Sequence, residues 1–401
     1  MNGIQPMRRE DYERSIRLSE FAFQYEFTEE ERAARMAKIK PEEHYGYYID
    51  GTLAAKLMLM PMQVWLHGRK FDMGGIAGVA TWPEYRRRGM VGQLLQHALE
   101  VMKEEGRTLS FLHPFSFGFY RRYGWETYVD YRKYELTAEN LPRYPVQEGR
   151  VEATADWELL NGLYEAYASR YNGTLVRTEE WWQDRIFRFK KGRSVVCRNP
   201  SGEPEGYMIY QVKNKEMQIH EFVYLTEQAR RSLWKFTSDH DSMAELFKMT
   251  APGDDALPFL LEDPRIKQET VPYFMARIVD AALFLEQYPF TAGEGKREFV
   301  LHLEDLQAGW NRGSYRVAVD EEGRASVQRI ESSPTDDHHR EGTEAAPAGL
   351  ACDIQTLAAV LIGYKRPGFL QRTGRLQGDD QAVNLLESLV PARQTYLLDF
   401  F

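Results

Sequence analysis

The pattern of apolar and polar positions over the first 81 residues predicts a helix followed by an antiparallel meander. Residues 11–27 are rich in apolar and aromatic positions and are predicted to be helical. Apolar runs then flank two short turns at 50–51 and 67–68, and the first of these is Asp-Gly, a dipeptide favoured in tight hairpins. A last apolar run at 76–81 predicts a buried strand that completes the meander.

A helix is predicted shortly after this strand, because apolar residues recur there at helical spacing. The residues that share its apolar face are Met90, Val91, Leu94, Leu95, Ala98, Val101 and Met102. Gly106 ends the helix, and residues 108–112 predict a second short strand. Strand, turn, helix and strand together form a βαβ unit.

The turn of this unit carries three arginines and a glycine, Arg86 to Gly89. The first turn of a helix has unpaired N–H groups and the positive end of the helix dipole, so it attracts anions. A glycine lets a pyrophosphate approach those groups because it has no Cβ, and arginines add charge-assisted contacts to phosphate. The turn is therefore a candidate phosphate site, with a solvated basic turn as the alternative.

A second unit repeats this order of elements. Helices are predicted over 157–169, at Trp181-Trp182 and over 227–236, and strands near Val195, over 207–212 and over 217–224. Aligning the last of these strands with the strand at 76–81 places Arg230 opposite Arg86 and Leu233 opposite Gly89. A leucine at that position holds a pyrophosphate away from the backbone. The second unit is therefore predicted to share the fold and to lack the cofactor site.

A third unit begins near residue 271 and combines a meander with two apolar helices. The meander strands are predicted over 298–303, 314–319 and 325–330, and the helices over 356–362 and 382–390. Residues 331–349 are polar, and the run from Asp336 to His339 suits either a metal site or a solvated loop tip. The composition around it favours the loop tip, so no metal is predicted.

Composition and charge narrow the function classes. The hydrophobic fraction of 43% and the charged fraction of 28% are typical of a globular protein, and 401 residues suit two or three domains. The net charge of −9 argues against a general nucleic-acid binder and weakly favours a cationic substrate. Cys197 and Cys352 predict buried thiols rather than a disulfide or a metal site. The polar N-terminus and the lack of a long apolar stretch predict a cytoplasmic protein without a membrane span.

Residues 86–91 and the aromatic run at 119–125 carry a resemblance to a known family. Arg86 and Gly89 match the Arg/Gln-x-x-Gly-x-Gly/Ala acetyl-CoA motif of the GNAT acetyltransferases, while Val91 departs from it. The triple arginine and the run Phe-Tyr-Arg-Arg-Tyr-Gly-Trp resemble one branch, the Eis-like N-acetyltransferases. The resemblance implies an α/β (α+β) fold in which tandem GNAT-type acetyltransferase domains are followed by a sterol-carrier-protein-2-like (SCP2-like) domain.

The resemblance and the polar stretch near residue 145 together predict the domain bounds. Residues 1–145 are expected to form the catalytic GNAT domain that binds acetyl-CoA, and 146–270 a second, degenerate GNAT-type domain. Residues 271–401 are expected to form the SCP2-like domain, which residues 275–284 enter through a strand and a helix. The resemblance also implies a homo-oligomer, specifically a hexamer.

The resemblance further implies roles for individual residues. Acetyl-CoA is expected to contact Val79, Thr81, Arg86, Arg87, Arg88, Gly89, Met90, Val91 and Ser116. Tyr120 corresponds to the general acid of the family. A phenol with a pKa near 10 suits this role, because it protonates a thiolate without being ionised itself. Tyr123 is expected to pack in the core. The α-carboxylate of Phe401 is the expected base, with His113 as a rival.

The aromatic C-terminus leaves two interpretations open. The chain ends Tyr-Leu-Leu-Asp-Phe-Phe, whereas most termini are polar and frayed. Either the last residues complete the sheet of the third domain as a strand, or the α-carboxylate of Phe401 enters the active site of the first domain, as the resemblance implies. An α-carboxyl has an ordinary pKa of about 3.3–3.7, which desolvation among aromatic rings raises toward that of a useful base.

Three function classes remain open. The first is an acetyl-CoA-dependent N-acetyltransferase that acts on a small cationic amine, aminoglycoside-like or polyamine-like, or on a protein lysine. The second is a GNAT enzyme that acetylates a peptide N-terminus. The third is a non-enzymatic carrier or scaffold for apolar ligands, suggested by the third domain, although Gly89 and Tyr120 argue against it. No metal, nucleic acid or membrane partner is predicted.

Overall fold

The computed structural model describes residues 2–145, 148–330 and 349–401, and these form three β-sheets covered by helices. The strands are β1 (Gly3–Pro6), β2 (His44–Ile49), β3 (Thr52–Leu66), β4 (Arg69–Thr81), β5 (Leu109–Leu112), β6 (Glu126–Thr127), β7 (Asp130–Thr137), β8 (Arg150–Ala153), β9 (Arg193–Arg198), β10 (Pro204–Lys213), β11 (Glu216–Tyr224), β12 (Leu246–Ala251), β13 (Lys267–Pro272), β14 (Met275–Ile278), β15 (Arg297–Glu304), β16 (Gly313–Val319), β17 (Ala325–Ile330) and β18 (Leu350–Asp353). The helices are α1 (Tyr12–Phe23), α2 (Glu29–Ala37), α3 (Met90–Glu104), α4 (Phe117–Arg121), α5 (Trp157–Ala168), α6 (Glu179–Trp181), α7 (Glu227–Ser238), α8 (Leu257–Leu260), α9 (Ala281–Gln287), α10 (Ile354–Leu361), α11 (Pro367–Arg372) and α12 (Asp380–Leu389). A π-helix, Trp182–Phe187, directly follows α6.

The first sheet has seven strands in the order β1-β2-β3-β4-β5-β14-β6. Strands β1 to β4 are antiparallel neighbours, whereas β4 and β5 are parallel and are joined through α3. The apolar face of α3 packs on this sheet and buries Leu94, Leu95 and Met102. The predicted hairpins and the predicted βαβ unit are confirmed.

The second sheet has the order β13-β7-β12-β11-β10-β9-β8. Its strands β11 and β12 are parallel and are joined through α7, as β4 and β5 are joined through α3. The same pair of parallel strands with a crossover helix therefore occurs twice. The predicted duplication of the fold is confirmed.

The register of the predicted alignment between the two copies is wrong. Gly89 is the N-cap of α3, and the N-cap of α7 is Thr226. Leu233 lies well inside α7 and is fully buried, so it is not the counterpart of Gly89. The error arises because residues 82–89 separate strand from helix in the first copy, whereas only 225–226 do so in the second.

The third sheet has the order β17-β16-β15-β18, and helices α9 and α12 pack against it. The predicted meander strands and the two predicted apolar helices are confirmed. The C-terminal residues are not part of this sheet among the described residues, because its fourth strand is β18. The run from Asp336 to His339, weighed as a metal site, lies outside the described residues.

Two strands, β7 and β14, lie in a different sheet from the one that the predicted domain bounds assign to them. Strand β7 falls in the predicted first domain but pairs with β12 and β13 in the second sheet. Strand β14 falls in the predicted third domain but pairs with β5 and β6 in the first sheet. These exchanges tie the three units together, and the domain bounds stay a prediction.

The sequence also led to predictions about the cysteines, metal binding and membrane spans, and the described residues bear on each. Cys197 and Cys352 are both free thiols. Within the described ranges, no group of three or more histidines, cysteines and carboxylates is placed to hold a metal ion. Of the helices that the structure describes, none is long and apolar enough to cross a bilayer.

Candidate active site

The two parallel strands of the first sheet separate at one end of the βαβ unit. Strands β4 and β5 are paired from Met73 and Leu109 to Ile76 and Leu112. Beyond this point β4 continues to Thr81 with no described strand on its β5 side. A strand edge with free N–H and C=O groups binds an extended amide chain. The open edge therefore fits the predicted pairing with the pantetheine amides of acetyl-CoA.

A β-bulge redirects this open edge. Lys56 pairs with Ala80 and Met58 pairs with Ala77, so β4 has one more residue than β3 over this interval. Gly78, inside the interval, has a φ of 59°, a conformation that glycine adopts without strain. Bulges bend a strand and re-aim its groups, and they are frequent at active sites.

The turn before α3 presents exposed cations at a helix N-terminus. Arg86, Arg87 and Arg88 are exposed, and Gly89 caps α3 with a φ of 76°. A Cβ at Gly89 would meet no atom closer than Gln93 Nε2 at 4.0 Å, so the backbone conformation rather than crowding requires the glycine. The turn fits a pyrophosphate, and its contact with acetyl-CoA stays a prediction.

The side chains of three other predicted contact residues have partners within the protein. Met90 is buried in the core and Val91 packs against the same core, so only their N–H groups, in the first turn of α3, are left to bind an anion. The hydroxyl of Ser116 accepts a hydrogen bond from the N–H of Phe119 at 3.4 Å and so caps α4. Their contacts with the cofactor stay predictions.

A cavity of about 1160 Å³ lies between the first sheet, α1, α2, the π-helix and the C-terminal residues. The predicted acid Tyr120, the predicted base Phe401 and its rival His113 all line it. Val79 of the open strand edge lines it as well. The fold thus brings residues from both ends of the chain into one cavity.

Tyr120 lies on α4 with its side chain buried among aromatic rings. Its ring centroid is 5.2 Å from those of Phe115 and Phe119 and 6.4 Å from that of Trp125. Burial raises the pKa of Tyr120, so its hydroxyl is protonated at neutral pH. A protonated hydroxyl in this cavity suits a proton donor to a leaving thiolate.

Tyr123 follows Tyr120 along the chain but packs in a different place. A Cβ at Gly92 of α3 would come within 2.5 Å of the Tyr123 hydroxyl oxygen, so this tyrosine packs directly against α3. Its carbonyl oxygen accepts a hydrogen bond from the buried Arg277 at 2.7 Å. These contacts are structural, whereas Tyr120 lines the cavity.

Phe401 ends the chain inside the molecule, with 6% of its surface exposed. Its ring centroid is 4.8 Å from that of Phe274 and 6.4 Å from that of Trp181. Gly75 of β4 makes room for it, because a Cβ there would come 3.0 Å from the Cε2 atom of Phe401. The terminus is therefore held against β4, one residue before the end of its pairing with β5, and its role as a base stays a prediction.

An ion network in the second domain holds the C-terminal residues in place. Arg177 Nε donates to Asp399 Oδ1 at 3.0 Å, and Arg177 also donates to Glu221 at 2.6 and 3.1 Å. Trp181 Nε1 donates to Asp399 Oδ1 at 2.9 Å, and the Tyr273 hydroxyl donates to the Asp399 carbonyl at 2.9 Å. The side chains of the three charged residues are completely buried.

Glu221 lies at a bulge in β11 that corresponds to the bulge in β4. Ile209 pairs with Glu221 and Tyr210 pairs with Ile219, so β11 carries one extra residue here. Burial by itself raises the pKa of Glu221, but the charge of Arg177 and that of a neighbouring lysine outweigh burial and lower it. At the bulge of the second sheet, therefore, the chain carries a member of the ion network that anchors the C-terminus.

His113 lies in the same cavity, next to the penultimate residue. Its ring centroid is 4.9 Å from that of Phe400 and 5.3 Å from that of Phe274. Burial lowers the pKa of His113, so its imidazole is neutral at pH 7 and able to accept a proton. It remains the rival base.

Cations without a predicted role also line this cavity, among them Lys56, Arg35, Arg185 and Arg188. Lys56 is buried in β3, with its Nζ donating to the Ser15 carbonyl at 2.6 Å and the Ser15 hydroxyl at 3.0 Å. Burial, reinforced by the charge of Arg35, lowers the pKa of Lys56 to about 7. The sequence contains a signal for Lys56, because it is a charged residue inside the apolar run 53–60. The arginines carry no such signal, because α2 and the π-helix bring them together.

Family comparisons divide the chain into three matched segments. Residues 3–128 and residues 173–278 each match an acetyltransferase (GNAT) domain family. Residues 281–398 match a sterol carrier protein domain family. The three families occur in the order that the resemblance implied.

Similar proteins extend over the same three segments. A crystal structure of a conserved protein of unknown function from Enterococcus faecalis, called a probable N-acyltransferase, is 30% identical, with a TM-score of 0.90 and 100% of both chains covered. An uncharacterized N-acetyltransferase from Streptomyces avermitilis is 24% identical over 91% of this chain and 90% of its own length. The N-acetyltransferase Eis of Mycobacterium tuberculosis is 24% identical over 77% of this chain and 75% of its own length.

Proposed function

The chain belongs to the Eis-like GNAT N-acetyltransferases, and we propose that it transfers the acetyl group of acetyl-CoA to the amine of a small molecule. One observation carries the proposal. Tyr120 and Phe401, the residues with the predicted acid and base roles, line one cavity together with Val79 of the open β4 edge. The non-enzymatic carrier is set aside because the family is one of enzymes.

The acetyl transfer needs one proton acceptor and one proton donor in the cavity. The lone pair of the neutral acceptor amine attacks the thioester carbonyl carbon, a C–N bond forms and the C–S bond breaks. The proton lost by the amine passes to the α-carboxylate of Phe401, and the leaving thiolate takes a proton from the hydroxyl of Tyr120. The products are the acetamide and free CoA thiol, and proton exchange with water restores both residues.

The remaining predicted roles concern binding of the donor. The open edge at Val79 and Thr81 pairs with the pantetheine amides, and the turn from Arg86 to Val91 holds the pyrophosphate on the N–H groups of α3. Ser116 lies beside the path of the donor at the start of α4.

The class of acceptor and the assembly stay predictions. The net charge of −9 led us to expect a cationic acceptor such as an aminoglycoside-like or polyamine-like amine, or a protein lysine, with a peptide N-terminus as the alternative. The charge of a whole chain does not set the charge of its cavity, so the cavity wall is the better guide to the acceptor. The homo-oligomer, a hexamer by family resemblance, also stays a prediction.

Calorimetry with acetyl-CoA tests the donor site, and release of free thiol in the presence of a panel of amines tests the transfer. We expect one acetyl-CoA per chain in the wild type and no measurable binding in Gly89→Leu, since a side chain at this cap disfavours its φ of 76° and blocks the approach of phosphate. Gly106→Leu is the matched control, because Gly106 lies at the other end of α3 with a φ of 72° and open space around it. Two equivalent sites per chain, or normal binding by Gly89→Leu, would contradict the proposal.

A further inference from the structure

Three arginines from two domains converge on the wall of the cavity. Arg35 lies on α2 of the first domain, Arg185 lies in the π-helix of the second domain, and Arg188 follows that helix directly. Each of them is half-buried. The three act on one another electrostatically: the charge of Arg188 adds to burial in lowering the pKa of Arg35, and the charge of Arg35 adds to burial in lowering the pKa of Arg185.

Carboxylates near these arginines are paired with other groups. Asp184 pairs with Lys38, and Glu180 pairs with Lys40 at 2.8 Å. Glu31, on the same helix as Arg35, accepts a hydrogen bond from the N–H of Thr28 and so helps to cap α2. The charge of Glu31 still acts on Arg35 and that of Asp184 on Arg185, but burial outweighs both acids and the pKa of each of these two arginines stays lowered.

The arginines themselves have aromatic neighbours but no anionic partner. The guanidinium carbon of Arg35 lies 4.0 Å from the ring centroid of Phe27, and that of Arg185 lies 5.4 Å from the ring centroid of Trp181. The buried Nε of Arg35 has no hydrogen-bond partner. Throughout the described ranges, no carboxylate forms an ion pair with Arg35, Arg185 or Arg188, and this includes the α-carboxylate of Phe401.

Other charged groups that line the cavity have polar partners, whereas the three arginines have no ion-pair partner among the described residues. Arg107, which also lines the cavity, is paired with Glu105 at 2.7 Å. Asp72 accepts a hydrogen bond from Gln63 at 2.8 Å. Glu43 Oε1 lies 3.9 Å from Lys40 Nζ. The arginine cluster is therefore a part of the cavity wall whose positive charges have no ion-pair partner among the described residues.

Like charges gathered in a partly desolvated wall are unfavourable unless an anion joins them. A guanidinium donates in a planar fork that matches the two oxygens of a carboxylate or of a phosphate. Phe27 and Trp181 hold two of the forks over aromatic faces, which fixes their orientation. The cluster thus has the charge, the donors and the rigidity of an anion site.

We propose that Arg35, Arg185 and Arg188 bind an anionic group of the acceptor, so that the acceptor is an amine that also carries a carboxylate or a phosphate. This deepens the proposed function and rests on it. The cluster is distinct from the donor's phosphate turn, since no residue from Arg86 to Val91 is among the described residues that line the cavity. The anionic group would lie against the three arginines while the amine meets the thioester, and the atoms transferred are those of the acetyl transfer given above.

Matched acceptors test this proposal directly. At saturating acetyl-CoA, kcat/KM is compared for O-phosphoethanolamine against ethanolamine and for lysine against cadaverine, since each pair differs in the anionic group. We expect the anionic member of at least one pair to be preferred by roughly 10- to 100-fold, the range for hydrogen bonds to a charged group. The two pairs distinguish a phosphate site from a carboxylate site.

Variants assign that preference to the cluster. Arg35→Gln and Arg185→Gln are each expected to remove most of the preference while the affinity for acetyl-CoA is retained. Arg107→Gln is the matched control, because Arg107 lines the same cavity but is already paired with Glu105. Arg35→Lys keeps the charge without the fork and is expected to retain part of the preference.

A binding measurement separates this proposal from the acetyl transfer itself. With saturating CoA present to occupy the phosphate turn before α3, inorganic phosphate is expected to raise the melting temperature of the wild type and of Arg107→Gln, but not that of Arg35→Gln, and this result does not depend on turnover. Preference for ethanolamine and cadaverine would overturn the proposal. So would a loss of acetyl-CoA affinity in Arg35→Gln, because it would place the cluster in the donor site. Phosphate that protects Arg35→Gln as well as the wild type would show binding elsewhere and would also overturn it.

Discussion

Arg177 of the second domain forms a buried ion pair with Asp399, two residues before the C-terminus, with 3.0 Å between Arg177 Nε and Asp399 Oδ1. Neither side chain has any exposed surface. Arg177 also pairs with Glu221, which lies at the bulge of the second sheet. The second domain therefore anchors the chain end that lines the cavity of the first domain.

Removing the charge of Asp399 should release the terminus from its position. For Asp399→Asn we expect a fall in kcat with acetyl-CoA affinity near normal, because the second domain positions the Phe401 carboxylate and not the donor. Breaking a buried pair costs about 3–5 kcal/mol, so circular dichroism must confirm folding at the assay temperature. Asp239→Asn removes an exposed aspartate paired with Lys235 and serves as the control. A kcat that falls no further in Asp399→Asn than in the control would show that the anchor does not position the base.

Extending the chain beyond Phe401 tests the base directly. A short C-terminal extension replaces the α-carboxylate with a neutral amide, and removal of Phe401 draws the carboxylate back by roughly 3.3–3.6 Å, beyond hydrogen-bonding reach. Both changes should lower kcat far more than the melting temperature, and acetyl-CoA should still bind. Full activity in the extended enzyme would transfer the role of base to His113.

The two tyrosines of the aromatic run should differ in their effect on catalysis. Tyr120→Phe is expected to lower kcat by roughly 10²–10⁴, the usual scale for losing a positioned acid, while acetyl-CoA affinity changes little. Tyr123→Phe is the matched control, because the Tyr123 hydroxyl packs against Gly92 of α3. Steady-state kinetics decide the matter, and a larger loss in Tyr123→Phe would reverse the two roles.

Lys56 should make stability depend on pH. Its pKa is lowered from 10.5 to about 7, so between these values the unfolded chain binds the proton that the folded protein has lost. Stability contributed by this site therefore rises with pH across that window, by about 1.4 kcal/mol per unit at most. In Lys56→Met this rise should be absent. The free energy of unfolding, measured with urea, should therefore increase more from pH 7 to pH 10 in the wild type than in the variant. Parallel curves for the two proteins would show that Lys56 has its ordinary pKa.

Much of the fold followed from local patterns. The helical spacing of apolar residues from Met90 to Met102 predicted α3, and Asp-Gly at 50–51 predicted the hairpin of β2 and β3. Such patterns succeed because backbone conformation and the choice of a buried face depend on residues close in sequence. The motif residues Gly89 and Tyr120 were found for the same reason, since each lies in a contiguous run.

The sequence alone therefore determined the first βαβ unit, the basic turn before α3 and the aromatic run, because each of them lies within a short segment. Only the tertiary structure decided that Arg177 holds Asp399, that Thr226 rather than Leu233 corresponds to Gly89, and that Arg35 and Arg185 share one wall of the cavity. These relationships join residues from separate domains or depend on the length of a turn. No local periodicity encodes them, because they depend on how complete sheets and helices pack against one another.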